Sequence, residues 1–251
     1  MAKTGPKLKW NLEIALEMRN LDISYSDIAR YLKVKPTTIQ TYFLKHYGKL
    51  PYNTNTSKSR LLDSIEKQVL FGTLLGDGNL RIDIKNKSKN TSGKIEHCQK
   101  QIELLKFKKE IFGNLCSEIK EISRFDKRTN KTYHSCYIRF KTNPELNEFH
   151  SMFYENNKKK IPHNLKLLTP LSIAIWFMDD GVKATKGGYY FSTNSFTKED
   201  TERLAKELEN RYNLNTSLHY KGKEQYMIYI KKSSASDFEK LIENYIIPSM
   251  Y

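Results

Sequence analysis

The sequence predicts an α+β protein: two tandem αββαββα repeats behind a small all-α amino-terminal domain. Three observations predict it. An apolar helical stretch ending in Asp-Gly occurs twice, as "LFGTLLGDG" at 70–78 and "IAIWFMDDG" at 173–181. The same succession of alternating and helical patterns follows each copy. A polar run rich in Asn, Ser and Thr, "GKLPYNTNTSKSR" at 48–60, separates both from an amino-terminal stretch with few strand signals. The domain boundaries that follow are 1–50, a linker at 51–60, a first repeat at 61–164 and a second at 165–251.

In the amino-terminal domain, "YSDIARYLKVKPTTIQTYFLKHY" (25–47) has helix-turn-helix spacing. Ile28, Ala29 and Leu32 form the inner face of the first helix, Val34 sits in the turn and Ile39 on the second helix. Pro36 suits an opening helical turn. The tight-turn position, often glycine, is Lys33. The second helix would offer Thr37, Thr38, Gln40, Thr41 and Lys45 to DNA. Residues 1–60 hold 11 Lys/Arg and 4 Asp/Glu, a net +7, which favours contact with a polyanion.

In the first repeat, a helix over 61–77 leads into alternating stretches "LRIDIKN" and "GKIEHCQK". A helix at 101–118, strands at 119–127 and in "TYHSCYIRFKT", and a helix near 144–157 follow. In the second repeat, a helix at 170–180 precedes strands near 182–186 and 188–194. A helix from Thr197 to Tyr212, strands near 215–221 and 225–231, and a helix over 233–246 complete it. The closing helices share wording, "FHSMFYENNKKKIP" against "FEKLIENYIIP". Two similar halves in one chain predict a pseudo-two-fold monomer. Strand alternation puts Arg81, Asp83 and Lys85 on one face, and Tyr137, Arg139 and Lys141 on another. Lys183, His219, Lys221 and Lys231 are the matching candidates in the second half. A twisted ribbon bearing such residues can enter the major groove, where Arg and Lys read guanine and Asp reads cytosine.

Bulk composition narrows the partner. Across 251 residues, 43 Lys and Arg against 28 Asp and Glu give a formal charge of +15. A chain this basic points to nucleic acid before a membrane surface. No apolar run approaches the roughly 18 residues of a membrane span. Cys98, Cys116 and Cys136 are scattered, which indicates a reducing intracellular compartment such as cytoplasm, nucleoid or organelle matrix. No CxxC pair or regular His/Cys cluster is present for a zinc site.

The paired helix ends carry the chemistry. A helix C-terminus has partial negative charge, so a carboxylate there is unfavourable by roughly 0.3–1 kcal/mol. Asp77 and Asp180 occupy that place in both apolar helices and call for a compensating cation, Mg²⁺ above all. Gly78 and Gly181 suit left-handed helix caps. Gly72 and Gly76, four apart, would let the two helices approach closely and bring Asp77 and Asp180 to one end.

Over about residues 61–251 these motifs resemble those of LAGLIDADG homing endonucleases, most of all single-chain, intron-encoded members. "SIAIWFMDDG" and "STNSFTKEDTERLAKELENRYNL" carry the resemblance most strongly. It implies a pseudo-two-fold DNA-binding saddle in which Asp77 and Asp180 bind two or more catalytic divalent ions. Asp179 precedes the essential position. Polar residues on neighbouring strands, by position Gln99 and Asn194, would hold the hydrolytic waters. "NNKKKIPHNL" points to Lys159 as the basic residue of the first site, with Lys158 and Lys160 as register alternatives. The family's second lysine follows a segment like "IIPSMY". Here either the C-terminus is truncated, or Lys221 or Lys223 substitutes, or the second site is impaired.

The implied activity is metal-assisted cutting of both strands of a long, asymmetric double-stranded DNA target. Two other functions fit parts of the pattern. An intron RNA maturase would use the same fold, and a transcriptional regulator would use the helix-turn-helix alone. An intein is not expected, since no Cys or Ser opens the sequence and no His-Asn closes it.

Overall fold

The computed structural model describes residues 10–20, 25–47, 61–82 and 91–250, which fall into two units, Met1–Asp63 and Ser64–Tyr251. In the first unit, α1 (Leu12–Asn20), α2 (Tyr25–Tyr31) and α3 (Pro36–Tyr47) bury Ala15, Ile28, Ala29, Ile39 and Phe43. Leu32 and Val34 pack against this core. Lys33 takes the left-handed conformation, φ +54°, in the turn between α2 and α3. Backbone bonds Lys33 N to Arg30 O (3.2 Å) and Val34 N to Ala29 O (2.9 Å) close that turn.

The second unit is built around two helices that are apolar on nearly all sides, α4 (Ser64–Leu75) and α7 (Pro170–Asp180). A helix of that kind has to be buried, and these two pack on each other. Gly72 and Gly76 make the approach possible. A Cβ on Gly72 would lie 2.2 Å from the Ser172 carbonyl oxygen, and one on Gly76 2.6 Å from the Asp179 Cβ. α7 begins in a capping box between Thr169 and Ser172 with Pro170 in the first turn. Thr169 Oγ1 also donates to Gln68 Oε1 of α4 at 2.6 Å.

Each core helix leads into a four-stranded antiparallel sheet. The first holds β1 (Asn79–Ile82), β2 (Thr91–Cys98), β3 (Lys120–Asp126) and β4 (Lys131–Phe140) in the order β1-β2-β4-β3. α5 (Ile102–Phe112) and α6 (Glu145–Phe153) pack on its inner face. After α6, the short ladder β5 (Tyr154–Glu155) and β6 (Lys158–Lys159) replaces the last turn of the expected helix. The second sheet holds β7 (Gly181–Lys183), β8 (Tyr189–Ser192), β9 (Thr216–Gly222) and β10 (Gln225–Ile230), ordered β7-β8-β10-β9. α8 (Lys198–Tyr212) and α9 (Ala235–Ile242) complete this half. The identical strand orders establish the duplication. Arg203 and Arg211 of α8 hold the inter-repeat segment by donating to the carbonyls of Ile161, Pro162, Leu165 and Leu168.

Two expectations fail here. Neither Gly78 nor Gly181 is left-handed; Gly181 has φ −86° and starts β7. Both are glycine because a side chain has no room. A Cβ on Gly181 would lie 2.0 Å from Phe177 Cδ2, and one on Gly78 2.7 Å from the Thr73 carbonyl oxygen.

Candidate active site

The ends of α4 and α7 bring Asp77, Asp179 and Asp180 together with basic side chains from three other elements, Lys108 of α5, His97 of β2 and Lys159 of β6. Asp179 is fully buried, and so is Lys108 of α5, whose Nζ donates to Asp179 Oδ1 at 2.5 Å. Lys108 Nζ also lies 3.3 Å from Nε2 of the buried His97 on β2. His97 Nδ1 donates to Asp77 Oδ2 at 3.0 Å. A neutral imidazole with its proton on Nδ1 meets both contacts. The second Asp179 oxygen faces the Asp77 amide at 3.4 Å. A chain of polar contacts therefore runs from one core helix through α5 and β2 to the other. Leu104, Leu105 and Lys108 in α5 are spaced as Leu204, Ala205 and Leu208 in α8. The lysine thus takes the place of a core leucine in one half only.

Asp77, His97 and Asp179 bring ligand-type atoms within 4.8 Å of one another. That trio is a poor cation site, because an ion there would face the Lys108 ammonium. Asp180 differs. Its carboxylate accepts no hydrogen bond among the described residues. Burial, with the charges of Asp77 and Asp179, pushes its carboxyl up to about 7. Asp77 is 38% exposed, and its Oδ1 has no donor among the described residues. Asp77 and Asp180 are thus a partly exposed acidic pair, with Asp77 Oδ1 and the Asp180 carboxylate free of donors among the described residues, whose donor set fits a hard divalent cation.

Of the "KKK" run, Lys159 lies on β6 and reaches the end of α4. Its ammonium donates to the carbonyls of Gly76 (2.8 Å) and Gly78 (3.0 Å), on either side of Asp77. Burial lowers it to about 8, against the pull of Asp180, Asp179 and Asp77. Neither Gln99 nor Asn194 is on a strand: Gln99 opens a short 3-10 helix directly after β2, and Asn194 sits in a turn two residues past β8. Gln101 reaches the helix end as well, Nε2 to the Met178 carbonyl at 3.5 Å.

The strand register sorts the surface candidates. On the outer face of the first sheet, Arg81 pairs with Ser92, Lys94 with Arg139 and Glu96 with Tyr137. Cys136, Ile138 and Phe140 point the other way and are buried. Lys141 continues that outer alternation just past β4. Asp83 and Lys85 lie outside the described residues. In the second half, His219 sits among Tyr190 and Tyr229, with ring centroids 5.3 and 4.8 Å away. Lys221 is exposed on β9, and Lys231 is exposed just past β10. Lys183, with its side chain 71% exposed, pairs with the buried Tyr189 on the helix side of its sheet, and its ammonium lies 3.5 Å from Glu239 of α9. The outward residue of β7 is Val182. In the amino-terminal unit, Thr37, Thr38, Gln40, Thr41 and Lys45 are all exposed on α3.

Comparison with known proteins agrees with this geometry. Residues 67–238 match the model of the LAGLIDADG DNA endonuclease family. The chain is 32% identical over 194 residues to the cytochrome b mRNA maturase bI2 of Debaryomyces hansenii, covering 75% of this chain and 73% of that protein. It is 31% identical over 202 residues to the DNA endonuclease I-ChuI of Chlamydomonas applanata, covering 74% and 92%. Among solved structures, the homing endonuclease I-WcaI bound to its DNA recognition sequence superposes with a TM-score of 0.70 at 25% identity, covering 82% of this chain and 95% of that one.

Proposed function

The chain belongs to the LAGLIDADG DNA endonuclease family, and from that premise we propose that it makes a double-strand break in a long, asymmetric DNA target by Mg²⁺-dependent phosphodiester hydrolysis. The observation that carries the proposal is the pair Asp77 and Asp180 at the joined ends of α4 and α7, whose carboxylates keep oxygens free of donors among the described residues. These two carboxylates would hold the ions. Bound Mg²⁺ supplies an activated water and stabilises charge on the scissile phosphate and leaving oxygen.

The rest of the machinery belongs to the chain. Lys159 is fixed beside Asp77 by two carbonyls and places a positive charge where a phosphate would lie. Lys108 and His97 hold Asp77 and Asp179 in fixed positions. Gln99 and Asn194, one in each half, would orient water. The outer sheet faces would enter the major groove, and the exposed side of α3 would bind a groove beside the main footprint. Two complete motifs in one chain make a monomer sufficient.

The experiment is to incubate the full chain with a randomised duplex library and Mg²⁺, then sequence the cut ends. One long, asymmetric consensus flanking a fixed cut position is expected, with no ends formed in EDTA. Ends scattered without a consensus would contradict the proposal.

The similarity to the Debaryomyces maturase favours a second reading, that the chain assists splicing of an intron RNA. It predicts protection of the host intron RNA by the same chain, and it stands beside cutting rather than against it.

A further inference from the structure

We propose that Glu96 sets base specificity in the half of the target met by the first sheet, by holding Arg124 and Lys94 in place rather than by touching a base itself. This rests on the endonuclease reading above. Glu96 lies in mid-strand on the outer face of β2. Its carboxylate accepts from Arg124 Nη1 (2.5 Å) and Nη2 (3.2 Å), from Ser135 Oγ (2.7 Å) and from Lys94 Nζ. A carboxylate has about four lone-pair sites, so none is left for a cytosine amine. The ammonium of Lys94 also lies 4.3 Å from the centre of the Tyr137 ring, which fixes it from a second side.

Both cations keep spare donors. A guanidinium has about five N–H groups, of which Glu96 engages two, and an ammonium about three, of which it engages one. Donors held on a strand face that enters the major groove discriminate guanine, through O6 and N7. The same carboxylate has a second effect of opposite sign. On a chain of charge +15 it repels phosphate, and so weakens binding that ignores sequence. The second sheet has no counterpart. The outward positions of β8 and β10 are Tyr190, Ser192, Gln225, Met227 and Tyr229, none of them a carboxylate. The effect therefore belongs to one half of the target.

The test is binding of the full-length parent and Glu96→Gln to a randomised duplex pool in EDTA, with the bound fraction sequenced. Glu96→Gln is expected to bind random DNA several-fold more tightly. Its preference at one or two adjacent base pairs, in one half of the target only, should fall from about tenfold towards none. Arg124→Gln should flatten the same positions while binding random DNA less tightly. A Glu96→Gln profile that superimposes on the parent's would overturn the inference, as would flattening across both halves. A parent that enriches no sequence would instead overturn the endonuclease reading.

Discussion

Asp180 destabilises the fold it serves. Its carboxyl titrates at about 7 in the folded chain and near 3.9 when unfolded. Between those values the folded state binds more protons, so stability falls as pH rises and the penalty is complete above 7. Lys159, lowered to about 8, carries a penalty that is complete below 8 and is lost as pH rises towards roughly 10.4. Both penalties are present at pH 7 to 8. Replacing Asp180 by Asn should therefore raise the melting temperature of the metal-free protein at pH 8 by about 2–4 °C, the shift expected of about 1 kcal/mol. The gain should shrink at pH 5, and a lower melting temperature at pH 8 would contradict it. At this scale the sequence was legible where a motif repeats, as for Asp77 and Asp180, or where a basic run is distinctive, as for Lys159. His97 and Lys108 were missed, though their signal was present. His97 shares the inward parity of Ile95, and Lys108 interrupts the apolar stripe of Leu104, Leu105 and Phe112. A polar residue at a buried position is the pattern that would have found both.

The pairing of α4 with α7 is what makes one site from two carboxylates, and it depends on glycine. A methyl group on Gly76 meets the Asp179 Cβ and Oδ2 at 2.6 and 2.8 Å. Asp179 cannot yield without breaking its ion pair with Lys108. Gly76→Ala should destabilise the protein by about 1–3 kcal/mol, as overpacking in a core does, and slow cutting more than binding. Chemical denaturation measures the first effect and cleavage rate set beside gel-shift affinity the second; a variant as stable as the parent would contradict close packing at this interface. The glycine spacing was legible in the sequence. The reason for Gly78 and Gly181 was not, because a conformational need and a lack of space select the same residue. The β5–β6 ladder was also hidden. Its two-residue strands are too short to show a period, and they lie in a segment read as helix.

Across the whole duplicated unit, duplication fixes the fold and divergence sets the two outer faces apart. The two sheets share one strand order, and the repeated motifs announced it. Their outer faces differ, with Lys94, Glu96, Arg124 and Arg139 on one and Tyr190, His219 and Tyr229 on the other. That difference depends on register, which at Lys183 brings the ammonium to 3.5 Å from Glu239. A chain carrying both halves needs no second copy, so light scattering of the free protein should give a mass near 29.5 kDa; an obligate dimer would contradict the pseudo-two-fold arrangement.

The central claim is that Asp77 and Asp180 act in hydrolysis and not in recognition. It is tested most directly by comparing the parent with Asp77→Asn and Asp180→Asn on a single DNA target, scoring gel-shift affinity and linear product in Mg²⁺ side by side. Each variant is expected to bind the target within a few-fold of the parent and to yield no double-strand break. Linear product at the parent's rate from the double variant would contradict it.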